Sequence, residues 1–235
     1  MLPNGRTRTL ADVLGYEQEH NPDKVNSYGF EDLDADCKAT LPPFIPGDPY
    51  DGEVDANPYS VLTVPGGWVI ADAAGNDLLR VSPNGQVRTL GVLPAQPVVI
   101  TAEMAEEFEL DSCVVGATYN AEPVPTDVEM GPDGMLYVSL LAGGPAPGAV
   151  YRVDPRTGAA TLLARGFAGA TGLAVAPDGT VYVAELFGDQ ISKIVAGTPQ
   201  QVAEVPSPAA LEWANGKLYA TIDVFGDGQV VTITP

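Results

Sequence analysis

Short β-rich segments alternate with compact turns along most of the chain. Residues 170–183 (ATGLAVAPDGTVYV) contain an apolar strand, a Pro-Asp-Gly turn and a second strand rich in valine and tyrosine. Asp-Gly favours a tight reversal because Gly adopts a positive φ without steric cost and Asp bonds to its own backbone. This pattern predicts an antiparallel hairpin.

The hairpin recurs. Residues 125–138 (PTDVEMGPDGMLYV) match it closely, and the turn glycines Gly134 and Gly179 lie 45 positions apart. Weaker copies occupy residues 58–70 and 210–220. A third β-rich run follows each copy, and a fourth follows three of them, at residues 86–90, 160–163 and 201–205. Four strands in a unit of this length are typical of a propeller blade. We therefore predict an all-β fold: a single β-propeller domain over residues 1–235, with about four four-stranded blade units.

Both ends of the chain fall inside this cycle. Residues 3–10 (PNGRTRTL) copy residues 83–90 (PNGQVRTL), a turn and an outermost strand, so residues 1–10 read as an incomplete blade. The last run, residues 228–235, supplies a third strand and no fourth. Either the N-terminal strand closes the last blade, or upstream blades and a signal peptide are lost. Rings of six or seven blades close more comfortably, which favours loss from a six-bladed parent. A short helix is expected near residues 10–19, with Ala11, Leu14 and Tyr16 packed inward.

Charge and cysteine placement add two features. The formal charge is −20, from 31 acidic and 11 basic residues, which disfavours nucleic acid as a partner. Residues 11–56 hold 12 acids and residues 96–123 hold 6, so we read both segments as acidic insertions that decorate the propeller. Each contains one cysteine. Cys37 and Cys113 could form one disulfide in an oxidising compartment or remain two free thiols. No run of 18 apolar residues predicts a membrane span.

Three segments resemble one family. They are residues 2–23 (LPNGRTRTLADVLGYEQEHNPD), 55–59 (DANPY) and 70–81 (IADAAGNDLLRV). Together with residues 124–138 and 228–233, they resemble the ScyD/ScyE family of secreted bacterial propellers, which is related to NHL-repeat propellers and whose biochemical role is largely undefined. The resemblance implies an extracellular protein with an export signal and further blades ahead of Leu2. Residues 28–51 and 101–119 depart from the family pattern.

Calcium is the one cofactor that the sequence suggests. In calcium-dependent propeller hydrolases of the gluconolactonase type, one axial ion is held by Glu, Asn and Asp residues from different blades. The matching inner-strand candidates here are Asn57, Asp127, Glu129 and Glu212. Hydrogen bonds to neighbouring strand ends are the competing explanation for these side chains. Two further acidic runs could form looser oxygen sites: Asp32, Asp34 and Asp36, and Asp48, Asp51, Glu53 and Asp55.

No catalytic motif stands out. His20 is the only histidine, so any Ser-His-Asp triad would need it, and it lies in a polar stretch that favours a solvated role. Asp72 with Asn76, and Glu185 with Asp189, occupy matching turn positions and are interpreted as blade architecture. Residues 143–148 (GGPAPG) lack the Lys and Ser/Thr of a phosphate loop and predict a strand-joining loop.

These observations favour a non-catalytic extracellular binding or scaffold propeller. Its partner would be a protein, a glycan or a small molecule at one propeller face. The alternative function is a calcium-dependent propeller hydrolase or lactonase of the gluconolactonase type that works through the axial carboxylates.

Overall fold

A computed structural model describes residues 7–43 and 45–234. Most of the predicted N-terminal turn, residues 1–6, therefore lies outside the described residues. The first part of the chain contains helix α1 (Val13–His20), a 3-10 helix (Pro22–Val25), strand β1 (Ser27–Phe30), helix α2 (Ala35–Lys38) and strand β2 (Tyr50–Asp51). The next elements are β3 (Pro58–Val64), β4 (Gly67–Asp72), β5 (Asp77–Val81), β6 (Val87–Val92), β7 (Gln96–Val99), helix α3 (Ala102–Glu107), a 3-10 helix (Ser112–Val114) and β8 (Thr118–Ala121).

The rest of the described chain is built from strands alone. These are β9 (Pro125–Met130), β10 (Leu136–Leu140), β11 (Gly148–Val153), β12 (Ala160–Phe167), β13 (Ala170–Val175), β14 (Val181–Glu185), β15 (Gln190–Val195), β16 (Thr198–Glu204), β17 (Leu211–Ala214), β18 (Lys217–Ile222) and β19 (Gln229–Ile233). None of the described helices is long and apolar enough to cross a membrane.

Four antiparallel sheets form the predicted blades. Blade 1 contains β3 to β6, blade 2 contains β9 to β12, blade 3 contains β13 to β16, and the three-stranded blade 4 contains β17 to β19. The predicted hairpins are confirmed: Val128 pairs with Val138 in blade 2, and Leu173 pairs with Val183 in blade 3. Both Pro-Asp-Gly turns place their glycine at positive φ, 76° for Gly134 and 88° for Gly179. Local turn chemistry thus fixes strand register as expected.

The blades pack side by side through their innermost strands, in the order β3, β9, β13 and β17. Apolar side chains from facing sheets fill each interface. Val69 and Val138 lie in the core between blades 1 and 2, and Ala184 and Leu218 lie in the core between blades 3 and 4. Adjacent inner strands come very close, because a Cβ on Gly172 would overlap the backbone of Ala209 and Ala210. The described blades therefore follow one another around a common axis.

A fifth sheet comes from the two acidic segments, which do more than decorate the propeller. Its strand order is β2, β1, β8, β7, so β1 and β2 from the first insertion pair with β7 and β8 from the second. Cys37 and Cys113 form a disulfide with a Cα–Cα distance of 5.8 Å. Of the two possibilities that the sequence left open, a disulfide or two free thiols, the structure has the disulfide. Gln96 anchors this sheet to blade 2, because its amide nitrogen donates to the Tyr151 hydroxyl (3.2 Å) and its oxygen accepts from Arg165 (2.9 Å).

The N-terminal segment differs from its prediction. Residues 7–12 form no strand, and the helix begins after Asp12, whose carboxylate accepts the Gly15 amide, rather than at residue 10. Leu14 is 47% exposed, whereas the buried residue of the helix is Glu17. The reason is that the Tyr16 side of the helix packs on blade 1, where the Tyr16 hydroxyl bonds the Thr89 hydroxyl at 2.9 Å.

Candidate functional site

An apolar groove lies between the second insertion and blades 2 and 3. Loops form much of its lining, so we call it the loop-face groove. It consists of two adjoining hollows that share Phe108, Gly144 and Pro145. One hollow has a volume of about 310 Å³ and is lined by Phe30, Ile45, Phe108, Leu110, Tyr119, Gly144 and Pro145. The other has a volume of about 480 Å³ and its lining includes Met104, Glu107, Phe108, Pro145, Pro147, Phe167 and Phe187. Both fall within the range of sites that take small molecules.

One wall of the groove is held by the fifth sheet. The Phe30 and Tyr119 rings pack edge to face with their centroids 4.9 Å apart, within a core that also contains Ile100 and Val114. Residues 141–147, which join β10 to β11, fold over this core and contribute Ala142 and Ala146 to it. A Cβ on Gly144 would lie 3.2 Å from the Tyr119 ring, so glycine allows this loop to lie flat on the aromatic pair. The disulfide fastens the same wall.

Two phenylalanines stand at the rim of the groove. Phe108, just after α3, is 39% exposed, and Phe187, in the turn between β14 and β15, is 67% exposed. Phe187 is held over Gly169, where a Cβ would collide with its ring. Exposed aromatic rings beside a concave apolar surface are typical of a binding site. Glu107 is the one charged side chain among the residues that line the two hollows.

Three of the four predicted axial residues lie together. The Asp127 carboxylate accepts the Ser60 hydroxyl at 2.8 Å through Oδ1 and the Leu173 amide at 3.0 Å through Oδ2, so it links blades 1, 2 and 3. Burial raises the pKa of Glu129 to about 7, and the neighbouring charges of Asp127 and Glu212 contribute to this rise. Burial also raises the pKa of Asp127. These carboxylates therefore share one region of the inner strands, and their role in metal binding stays a prediction.

Asn57 lies in a different setting. Its backbone amide donates to Asp72 Oδ1 at 2.6 Å, and its carbonyl accepts the Ala73 amide. These contacts place Asn57 at the turn after β4, whereas Asp127 bonds Ser60 and Leu173. In the described part of the chain, no three or more His, Cys, Asp or Glu side chains are already arranged as a metal site.

The turn carboxylates act as blade architecture, as predicted. Asp72 Oδ1 accepts the backbone amides of Asn57, Ala74 and Gly75. Glu185 bonds the Ala168 amide and the side chains of Gln190 and Ser192. Asn76 has an additional role, because its side chain donates to Asp23 Oδ2 at 3.0 Å and accepts the Val124 amide at 3.1 Å.

Three of the remaining candidates, His20, Asp34 and Asp48, have local partners. His20 is exposed, stacks on Tyr16 with ring centroids 4.1 Å apart, and places Nδ1 2.9 Å from the Tyr16 carbonyl. Asp34 caps α2 by accepting the Cys37 amide, and Asp48 pairs with Lys38. Sequence reasoning missed the groove and three buried acids, Glu17, Asp23 and Asp77. The large apolar Phe108 inside the acidic residues 103–111 was the one available signal for the groove.

Comparison with solved structures agrees on the fold. A virginiamycin B lyase from Staphylococcus aureus, with quinupristin, is 17% identical with a TM-score of 0.51, and the match covers 80% of this chain and 59% of that one. A chain of a nidogen/laminin complex is 11% identical with a TM-score of 0.51, covering 80% and 64%. The fold is a β-propeller. This chain thus spans about three fifths of the length of each propeller.

A putative gluconolactonase is also similar, at 17% identity and a TM-score of 0.49, with 80% of this chain and 68% of that chain covered. At these identities the likeness concerns the fold alone. No family model matches the sequence, and no curated protein matches it either.

Proposed function

We propose that this protein is a non-catalytic extracellular binding propeller that takes its ligand in the loop-face groove. The observation that supports this most is the groove itself, an apolar concavity built by two disulfide-linked insertions and rimmed by Phe108 and Phe187. Binding residues concentrate on loops positioned by a rigid scaffold. The blades supply that scaffold, and the insertions supply the loops.

The lining indicates the chemistry of the ligand. Apolar residues dominate both hollows, with phenylalanine, proline and glycine present in each, and the single charged lining residue is Glu107. The formal charge of −20 repels anions over most of the surface. The groove therefore suits an uncharged ligand with an aromatic or aliphatic body, either a small molecule or an apolar side chain of a protein partner.

Extracellular localisation is part of the proposal. The disulfide between Cys37 and Cys113 is typical of a protein in an oxidising compartment. The similarity of residues 2–23, 55–59 and 70–81 to ScyD/ScyE proteins supports the same location and a place in that family. A propeller of this fold occurs in a nidogen/laminin complex, so the architecture is compatible with protein binding.

Binding of Nile red, a neutral apolar dye, tests the proposal. We expect saturable fluorescence enhancement with the wild-type protein. The double variant Phe108→Ser/Phe187→Ser should bind at least about tenfold more weakly, because each ring removed forfeits about 1.5–3 kcal/mol of apolar burial if fully covered and tenfold is about 1.4 kcal/mol. Phe225→Ser is the matched control, since Phe225 is 75% exposed and does not line the groove.

The groove proposal fails if the double variant binds Nile red as tightly as the wild type. It also fails if Phe225→Ser weakens binding to the same extent. Circular dichroism of each variant verifies that the fold is intact.

The alternative, a calcium-dependent hydrolase or lactonase, is supported by the raised pKa of Glu129 beside Asp127 and Glu212. A carboxyl with a pKa near 7 can exchange a proton at neutral pH. The fit to calcium is weak at Asp127, however, because both of its oxygens already accept protein hydrogen bonds. Hydrolysis of glucono-δ-lactone above the uncatalysed rate, abolished by EDTA and by Glu129→Gln, would favour this function over the binding proposal.

A further inference from the structure

Three acidic side chains are buried together beside blade 1, outside the groove and away from the axial carboxylates. Glu17 lies on α1, Asp23 in the following 3-10 helix, and Asp77 at the start of β5. Their exposed fractions are 1%, 0% and 0%. Carboxylates are almost never fully buried unless a cation or hydrogen-bond donors accompany them.

These carboxylates lack the expected partners. Among the described residues, Glu17 Oε1, Asp23 Oδ1 and both oxygens of Asp77 accept no hydrogen bond. Asn21 Oδ1, which is also buried, is unpartnered as well. The described ion pairs lie elsewhere, at Lys38–Asp48 and Arg152–Asp133. Five oxygen atoms are therefore buried away from water without a hydrogen-bond donor, which costs free energy in a native fold.

The three buried acids belong to one cluster around the turn that precedes Asp77. Asn76 donates to Asp23 Oδ2 at 3.0 Å, and a Cβ on Gly75 would lie 3.6 Å from Glu17 Oε2. Burial raises the pKa of Asp77 well above its usual range, and the nearby charges of Asp72, Glu17 and Asp23 raise it further. Burial raises the pKa of Glu17 to about 7, and Asp23 contributes the largest charge effect. Each acid thus lies within electrostatic reach of the other two. At neutral pH their mutual repulsion opposes folding unless a cation or protons neutralise it.

Hydrogen bonds hold Asp23 and Asn21 in place. The second oxygen of Asp23 is fixed by the Tyr28 hydroxyl (3.2 Å) and the Asn76 amide (3.0 Å), which leaves Oδ1 free. Asn21 adopts a left-handed conformation (φ 39°) where α1 ends, and its amide nitrogen donates to the Gly52 carbonyl at 2.9 Å. Gly52 must lack a side chain here, because a Cβ would overlap the Asp23 carboxylate.

We propose that Glu17, Asn21, Asp23 and Asp77 form a calcium site that joins α1, the first insertion and blade 1. Calcium takes about six to eight hard oxygen ligands and tolerates irregular geometry. The cluster offers carboxylate and amide oxygens and no sulfur or imidazole, which disfavours zinc and other transition metals. The described side chains do not converge on one point at coordination distance, so binding requires Glu17 and Asp77 to turn toward the ion. This site does not include Asp127, Glu129 or Glu212, and it does not depend on the groove.

Terbium luminescence tests the site directly. Tb³⁺ substitutes for Ca²⁺ at oxygen sites and emits when a nearby tyrosine is excited, and Tyr28 donates to Asp23 itself. We expect one saturable Tb³⁺ per chain, displaced by Ca²⁺ and far less by equimolar Mg²⁺. Asp77→Asn should weaken Tb³⁺ binding at least tenfold. Asp227→Asn, which removes one charge from an exposed turn, should leave it unchanged.

Asp127→Asn locates the ion, because it alters the axial region instead. Loss of Tb³⁺ binding in Asp127→Asn, with binding by Asp77→Asn intact, would overturn the proposal in favour of an axial site. Equal weakening by Asp77→Asn and Asp227→Asn would overturn it in favour of diffuse attraction to the acidic surface. Absence of saturable emission from the wild type would overturn it outright.

Thermal unfolding gives a second test, and this test does not require any variant to bind the metal. Calcium at about a hundred times its dissociation constant should raise the wild-type melting temperature by about 5–10 °C over EDTA. In EDTA, Asp77→Asn should melt at or above the wild type, because it removes an unpaired buried charge. In calcium the order should reverse. If the carboxylates merely share protons, the difference between the two proteins will be the same in both buffers, and the proposal fails.

Discussion

Removing the disulfide tests how the insertions support the groove. The bond joins Cys37 and Cys113 across a sequence separation of 76. Opening a loop of this size adds about 4–5 kcal/mol of conformational freedom to the unfolded chain in the entropic model, and removal of native disulfides costs about 2–5 kcal/mol in practice. Cys37 is 4% exposed within the core of the fifth sheet, so the variant Cys37→Ser/Cys113→Ser also buries a hydroxyl.

The loss should be concentrated in the insertions. Both tryptophans, Trp68 and Trp213, lie in blades 1 and 4, whereas Tyr28, Tyr50 and Tyr119 lie in the fifth sheet. Tryptophan fluorescence therefore reports the blades. The fifth sheet is followed by amide hydrogen exchange of residues 27–30 and 118–121 at increasing temperature, because tyrosines also lie on the blade strands. We expect the fifth-sheet transition of the double variant to fall by roughly 5–15 °C, since 1 kcal/mol corresponds to about 2–4 °C in a domain of this size. The tryptophan transition should move less.

Nile red binding should weaken in parallel, because the same core supports one wall of the groove. The wild type treated with a reductant is the control, and it should reproduce the double variant. Two results would refute a supporting role for the disulfide: neither transition moves by more than about 2 °C, or thiol titration of the unreduced protein finds both cysteines free.

Two further predictions concern the blades. The pKa of Glu129 is raised to about 7 in the folded protein against 4.5 for an ordinary Glu, so the folded state holds a proton that the unfolded chain has lost, and stability should fall as pH rises from about 4.5 to 7. Glu129→Gln should flatten this dependence of stability on pH. At pH 8 in EDTA, the variant should be more stable than the wild type by on the order of 1–3 kcal/mol, as measured by urea unfolding. An equal difference in stability at pH 4 and pH 8 would contradict this prediction. Gly172→Ala should cost about 1–3 kcal/mol, because the added Cβ overlaps Ala209 and Ala210. Gly143→Ala, whose Cβ would meet no atom closer than 3.6 Å, is its control, and equal stability of the two variants would count against the close packing of β13 on β17.

Blades 2 and 3 could be predicted from the sequence because their register is local. Pro-Asp-Gly turns at residues 132–134 and 177–179 join strands that are neighbours in the chain, so turn chemistry and alternation determine the pairing. The fifth sheet offers no such signal. Its strands have two to four residues, and β1 pairs with β8 about 90 positions away, as Gly29 does with Asn120. Tertiary packing, not local propensity, sets such pairings.

The candidate sites follow the same division. Asp127, Glu129 and Glu212 could be named from the sequence because each lies on the inner strand of a recognisable repeat. The buried acids could not be found in this way. Glu17 and Asp77 come from a helix and a strand 60 positions apart, and their burial depends on how the N-terminal segment packs on blade 1. The exposed position of Leu14 shows that apolar character alone does not determine which side of a short helix faces inward.

Hydrogen–deuterium exchange with and without saturating Nile red tests the binding proposal most directly, because it locates the ligand on the chain. We expect slower exchange in residues 102–110 and 141–147, which line the groove, and no change in residues 217–233 of blade 4. Protection around Glu129 on the inner strands, with residues 102–110 and 141–147 unaffected, would contradict the binding proposal.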